Sequence, residues 1–283
     1  LLLIPLMMIE GVINERNELK YSVKKEISRA ISESQIVDGP RLIYTVKKEQ
    51  VVDDKKEMVE ELHIINPHKL ESKVNVTTET LRRSIYNVIV YHSKINMNGS
   101  YVLPEAVYNG ENFKIKMKVS DLKGLTDTPK ISLLNKDYKF DVDDSGQLYT
   151  IVELPKENQT DRIIHFTMQL ELKGTERLMF APSADETVLS ISSSYANPSF
   201  VGEYLPLSRD VNEDGFTAKW KVLKINKKRS EYMGVDFIEV ASQYQQAMRS
   251  VKYGMLIICL VFVAGLLVEF VTKRQIHVVQ YAI

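Results

Sequence analysis

From Tyr253 to Val271 the chain reads YGMLIICLVFVAGLLVEFV, an apolar run whose one charged residue is Glu269. A helix of about 20 apolar residues crosses the hydrocarbon core of a bilayer, so residues 253–271 predict a transmembrane helix. The opening LLLIPLMMI (residues 1–9) is apolar all round but too short to span. It reads as the outer end of a first transmembrane helix, in which neighbouring helices or water offset the backbone bond lost at Pro5. A cleaved signal peptide is the alternative. With no initiator methionine at Leu1 and a fresh apolar run at Ile283, the chain reads as a fragment, and residues 272–283 as a cytoplasmic turn leading to a third membrane helix.

Between these segments the pattern changes twice. Ile13, Leu19, Val23, Ile27 and Ile31 fall near helical spacing among charges, which predicts an amphipathic helix over 10–36 that stops before Asp38-Gly39-Pro40. Short β-branched and aromatic runs then alternate with turn chemistry: VNVTTE, SIYNVIVYHSKI, FKIKMKVSD, IIHFTMQLEL, TVLSISSSY and GFTAKWKVLKI. Such runs without helical spacing between them predict a mainly β domain over 37–230, a large antiparallel sandwich or two packed ones. Phe113, Ile115, Met117 and Val119 alternate with polar residues, so one face of that strand is core. Trp220, in step with Phe216 and Ala218, reads as core too. A second amphipathic helix over 236–252, capped by Asp236 with Ile238, Ala241, Tyr244, Met248 and Val251 on one stripe, leads into the 253–271 span. Joined by helices at both ends, the domain would stand at fixed height over the bilayer.

Lys273 and Arg274 follow the span at once, which places that end in the cytoplasm by the positive-inside rule and the β domain outside, although Arg249 and Lys252 weaken the asymmetry. Glu269, near the cytoplasmic end, reads as a carboxylate that reaches the interface or as a polar group facing other helices.

Lysine plus arginine equals aspartate plus glutamate, 37 each, so nothing in the charge balance favours nucleic acid as a partner. The single cysteine, Cys259, allows no internal disulfide and no paired-thiol site. The five histidines (His63, His68, His92, His165 and His277) show no metal-ligand spacing. Asp141, Asp143, Asp144 and Gly146 resemble the start of a calcium loop, but Val152 stands where the closing glutamate belongs, so a β-turn is expected. Nucleophile-elbow and phosphate-loop motifs are missing. The reading is therefore of no catalytic residue, metal or cofactor.

The most distinctive stretch is YANPSFVGEYLPLSRD, residues 195–210, a long connection rich in aromatics and proline. Long loops often carry function. Either Phe200, Tyr204 and Leu205 tuck under the sandwich and fill its end, or Tyr195, Asn197, Pro198, Phe200 and Tyr204 form an interaction loop.

Residues along nearly the whole chain resemble the CreD family of bacterial inner-membrane proteins. They are Ile9-Glu10-Gly11, Gly39-Pro40 with Leu42, Ile85-Tyr86, Val90-Tyr91 and Gly99. They continue with Val119-Ser120-Asp121, Gly124-Leu125, Gly174-Thr175, Asn197-Pro198-Ser199-Phe200, Gly202 and Leu205-Pro206. The last are Gly215-Phe216, Ala218, Trp220, Gly234-Val235-Asp236, Tyr244, Arg249 and Val251-Lys252-Tyr253. Departures fall at Tyr195, at Val278 and at Ile31-Ser32, positions where the family more often carries tryptophan, proline and Trp-Gly. The resemblance implies further membrane helices after the second, location in the bacterial inner membrane, and a part in envelope integrity, colicin tolerance or envelope stress response. It brings no catalytic residue. The partners expected are the lipid bilayer and an envelope protein or cell-wall component. The alternative is an enzyme or carrier acting on a glycan or lipid-linked precursor; a stress sensor would need a cytoplasmic signalling domain.

Overall fold

The computed structural model describes residues 3–52, 55–83, 86–154, 162–228, 230–237 and 243–272. The chain divides into two units, residues 27–238 and the chain's two ends, 1–26 with 239–283.

In the helical unit, α1 (Leu3–Ile31) starts inside the first apolar run and continues unbroken into the domain's first residues, while α2 (Gln243–Thr272) runs through the second. Among the described residues, Arg249–Thr272 is the one helical stretch long and apolar enough to cross a membrane. Its apolar side chains, Leu256, Leu260, Phe270 and Val271 among them, are exposed rather than packed, as lipid-facing residues are. Glu269 is half-exposed three residues before the end of α2. Of the expected stripe on α1, Ile13 and Ile27 are buried and Leu19 is exposed.

The 27–238 unit is mainly β. Its first strands are β1 (Gln35–Val37), β2 (Arg41–Val52), β3 (Lys55–Ile65), β4 (Lys69–Arg83), β5 (Tyr86–Val102) and β6 (Gly110–Met117). The middle of the chain adds β7 (Lys130–Leu133), β8 (Lys136–Lys139), β9 (Asp141–Val142), β10 (Leu148–Ile151) and β11 (Ile163–Thr175). The last are β12 (Arg177–Phe180), β13 (Glu186–Ser193), β14 (Pro198–Gly202), β15 (Ser208–Asn212), β16 (Gly215–Leu223) and β17 (Met233–Phe237). They form an eight-stranded sheet ordered β15-β16-β13-β4-β5-β11-β7-β8, a five-stranded sheet ordered β3-β2-β6-β10-β9 and a four-stranded sheet ordered β1-β12-β17-β14. Most pairings are antiparallel; β13 with β4 and β1 with β12 are parallel.

Alternation explains the layering. On β4, Leu70, Val74 and Val76 point inward while Lys69, Glu71, Lys73 and Asn75 face water, and on β11 Ile164, Phe166, Met168, Leu170 and Leu172 do the same. Ile115, Met117 and Val119 are buried and Phe113 half-buried, as their spacing predicts. All three sheets share one core. Tyr91 on the large sheet meets Phe237 on the four-stranded one at 5.1 Å between ring centres, and Tyr101 stacks on Phe166 at 4.8 Å while its hydroxyl donates to the Pro40 carbonyl.

Two expected helix boundaries move. The helix predicted to reach residue 36 stops at Ile31, because Gln35–Val37 pairs in parallel with Leu178–Phe180 and its backbone groups are satisfied there. Asp236 is no helix cap: it lies within β17, opposite Arg177 on one side and Ser199 on the other, and accepts from the Arg177 guanidinium at 3.0 Å. Ile238 and Ala241 of the expected stripe lie outside the described residues.

The aspartate-rich turn is closed on itself. Asp143 accepts from the Gln147 and Ser145 amides, from the Ser145 hydroxyl at 2.6 Å and from Lys116 Nζ at 2.7 Å. These donors, with Lys116 foremost, hold its carboxyl far below the usual carboxylate range.

Candidate interaction surface

The connection expected over 195–210 contains two strands. Tyr195 sets its ring edge-on to Phe237 at 5.6 Å. Pro198, which has no amide to donate, opens β14 at the edge of the four-stranded sheet, a position that suits proline. Phe200 packs edge-on against Phe216 and Trp220, both at 5.8 Å between centres, and the Arg209 guanidinium lies 5.9 Å from the centre of the same ring. At Gly202 the backbone turns with φ +102°, where a Cβ would overlap the Tyr232 carbonyl, so only glycine fits.

After that turn the segment is pinned from below. The buried Trp220 indole donates to the Tyr204 carbonyl at 3.0 Å. The Tyr204 hydroxyl lies against the Glu231 carboxylate and the Asn226 carbonyl. Burial first, and then Glu231, push the Tyr204 phenol above its ordinary value. Phe200 and Tyr204 thus pack inward as one reading of the sequence has it, whereas Leu205 does not: Leu205 and Leu207 are 75% and 74% exposed. Asn197 is exposed as well. Beyond them all five residues of β15 are exposed at the edge of the eight-stranded sheet. Of the residues singled out in the sequence, Tyr195, Phe200 and Tyr204 hold the segment, while Leu205 and Leu207 are what it presents.

The register locates this segment. Gln35, where the chain enters the four-stranded sheet, is level with Leu178 and Val235, and β17 leaves at Phe237 opposite Pro198. Gly202 pairs with Met233 at the other end of β17, about 13 Å away at the usual strand rise. Leu205 follows from that far end. Beside β15 an open groove of about 430 Å³ is lined by Lys73, Asn75, Ser190, Ser192, Arg209 and Lys219. Asp210 is its single carboxylate and no aromatic ring faces it.

At the entry end, hydroxyls and amides seat the last turn of α1. Thr175 donates to the Ser28 hydroxyl at 2.7 Å. Gln35 donates to the Ser32 hydroxyl at 2.6 Å and to the Asp121 carbonyl at 2.8 Å, and Ser120 donates to Gln35 Oε1 at 3.2 Å. Asp121 is raised by burial, but the Glu33 and Lys123 amides and the Ser32 hydroxyl outweigh this and hold it below the usual range. Ser120-Asp121 and Gly174-Thr175, far apart in the chain, carry the family resemblance and meet here. Ser28 and Gln35 escaped the sequence reading, and Ser32 entered it only as a departure from the family pattern, because polar residues at a helix end look solvated until their partners are known.

Three of the described histidines have separate neighbours: His63 stacks on Tyr44 at 5.2 Å, His92 is 3.2 Å from Glu79 and His68 is 3.4 Å from Asp185. Among the described residues no three histidine, cysteine, aspartate or glutamate side chains gather as a metal site would need.

The family model described as "Inner membrane protein CreD" matches residues 1–283, the entire chain. The chain belongs to the CreD family. It is 27% identical over 311 aligned positions to the inner membrane protein CreD of Escherichia coli (strain K12), an alignment covering 99% of this chain and 68% of that relative. Among solved structures, an M1 zinc metallopeptidase from Deinococcus radiodurans superposes with a TM-score of 0.31 at 8% identity, over 61% of this chain and 42% of that one. A likeness that slight carries no argument. As a CreD-family member the chain is a membrane protein of the envelope, with a mainly β domain between its helices.

Proposed function

We propose that this CreD domain faces outward from the inner membrane and serves envelope integrity without catalysis, by holding another envelope component against the exposed segment that follows Gly202. The observation that carries this reading is the pair Leu205 and Leu207, left about three-quarters exposed on a segment that Trp220, Phe200 and Tyr204 hold in place. Exposed apolar side chains on a fixed scaffold are what a partner surface desolvates, and rigidity lowers the entropy lost on binding. Lys273 and Arg274 after α2 support the outward orientation. The groove beside β15, with one carboxylate and no ring, gives no support to glycan chemistry.

The double variant Leu205→Ser, Leu207→Ser removes apolar surface that packs against little of the domain, so its melting temperature should stay at the wild-type value. In a strain lacking the chromosomal gene, this variant is expected to leave sensitivity to detergents and β-lactams as high as the empty vector does. Full complementation by the folded double variant would overturn the reading.

A further inference from the structure

β15 ends the eight-stranded sheet, paired with β16 on one side and, among the described residues, with no strand on the other. The register decides which backbone groups are left over. A two-residue turn, Glu213-Asp214, joins β15 to β16, with Asn212 opposite Gly215. Such a turn is closed by a bonded pair, and bonded pairs alternate along an antiparallel ladder. Asn212, Asp210 and Ser208 therefore bond to β16, while the amides and carbonyls of Arg209 and Val211 point away from the sheet. The Leu207 amide donates to the Lys219 carbonyl at 2.7 Å, which fixes the start of the strand.

Natural sheets blunt open edges with proline, lysine or very short strands. Pro198 opens β14 at the edge of the four-stranded sheet, and lysines stand at both ends of β8, the other outer strand of the eight-stranded one. β15 carries neither residue. Its one cation, Arg209, stands opposite the buried Ala218 and lies back over the Phe200 ring at 5.9 Å. Pairing also sorts the side chains: Arg209 and Val211 share a face with Ala218 and Phe216, and Ser208 and Asp210 share the other with the exposed Lys219 and Thr217. Val211 is 44% exposed. Lys73, Arg209 and Lys219 line the groove along the strand against the single carboxylate of Asp210. Lys73 also reaches Glu71 at 3.4 Å, which leaves Arg209 and Lys219 in excess over Asp210.

We propose that the envelope component held by this face is a polypeptide, and that an acidic extended segment of it adds to β15 as a further strand of the sheet. The inference rests on the reading given above for Leu205 and Leu207 and names the class of their partner. Backbone bonds to Arg209 and Val211 supply affinity, as strand addition does at other open edges. Carboxylates of the incoming segment meet the excess charge of Arg209 and Lys219, and its apolar side chains cover Val211 and the two leucines before the strand. A glycan or a lipid has no row of amides and carbonyls with which to continue the ladder.

The test places a photoreactive residue at Ser208 of the full-length protein in intact cells and maps the adduct to a peptide by mass spectrometry. The expected adduct is one acidic stretch of a single protein. Val211→Pro removes an amide that points outward and leaves the bonds to β16 intact, a place where a strand tolerates proline. It should weaken the adduct about tenfold or more, because the incoming carbonyl meets a ring instead of a donor. Val211→Thr keeps the amide and should retain the adduct. Arg209→Glu, a change at an exposed side chain, should weaken it as well by setting like charges opposite each other, and it carries the test if Val211→Pro lowers the melting temperature. An adduct at full strength in both folded Val211→Pro and Arg209→Glu, or one with glycan or lipid, would overturn strand addition. So would an adduct from Leu205 with none from Ser208, an outcome that leaves the reading of the leucines standing. No adduct from either position would remove both.

Discussion

A Gly234→Val protein is expected not to accumulate in folded form. Gly234 is the second residue of β17, a strand paired on one side with β12 and on the other with β14. A Cβ at this position would overlap the Leu178 carbonyl and come within 2.8 Å of the Met179 Cα. Both obstacles are backbone of the adjacent strand, which no rotamer change relieves. Overpacking a core costs about 1 to 3 kcal/mol where side chains can yield, and more where they cannot. Total stability of a domain is only about 5 to 15 kcal/mol. Because β17 joins β14 to β12, losing it would also detach the segment that follows Gly202. Limited proteolysis of the membrane fraction should show the variant cleaved under conditions that leave wild type whole. Gly11→Ala, at a glycine with nothing within 4 Å of the added Cβ, is the matching control and should behave as wild type.

Trp220→Ala is expected to destabilise the domain by about 3 to 5 kcal/mol, the usual cost of emptying a large aromatic site. The indole is fully buried, forms part of the seat for Phe200 and donates to Tyr204. Trp220→Phe separates these contributions. It keeps most of the packing and loses the hydrogen bond, at about 1 kcal/mol. Its urea midpoint should fall slightly while cleavage between residues 203 and 207 rises clearly. Equal loss of global stability in both variants would show that the bond to Tyr204 contributes more than its packing.

Much of this architecture can be read from spacing alone. The run ending at Val271 forms α2, the strand through Ile115 buries alternate residues, and Trp220 lies in the core. What spacing could not supply was pairing between distant elements. Gln35–Val37 looks like the end of a helix until β12, some 140 residues later, offers its edge. Asp236 looks like a cap until Arg177 stands opposite it. The 195–210 stretch reads as a loop because Asn, Pro and Gly punctuate it, yet β14 forms by joining β17. Aromatic content drew the eye to Phe200 and Tyr204; only burial distinguishes these anchors from Leu205 and Leu207, since all four are large and apolar or nearly so. The seat of α1 was hidden for the same reason: Ser28, Ser32 and Gln35 meet Thr175 and Asp121 only in the folded chain.

The most direct test of the proposed role is site-specific photo-crosslinking in intact cells. A photoreactive residue is placed in the full-length protein at Leu205 in one strain and at Phe200 in another, and adducts are identified by mass spectrometry. Leu205 is largely exposed and Phe200 packs on Phe216 and Trp220. A discrete adduct with an envelope component is expected from position 205 and little or none from position 200. A folded protein that yields no adduct from 205, or the same adduct at equal strength from 200, would contradict it.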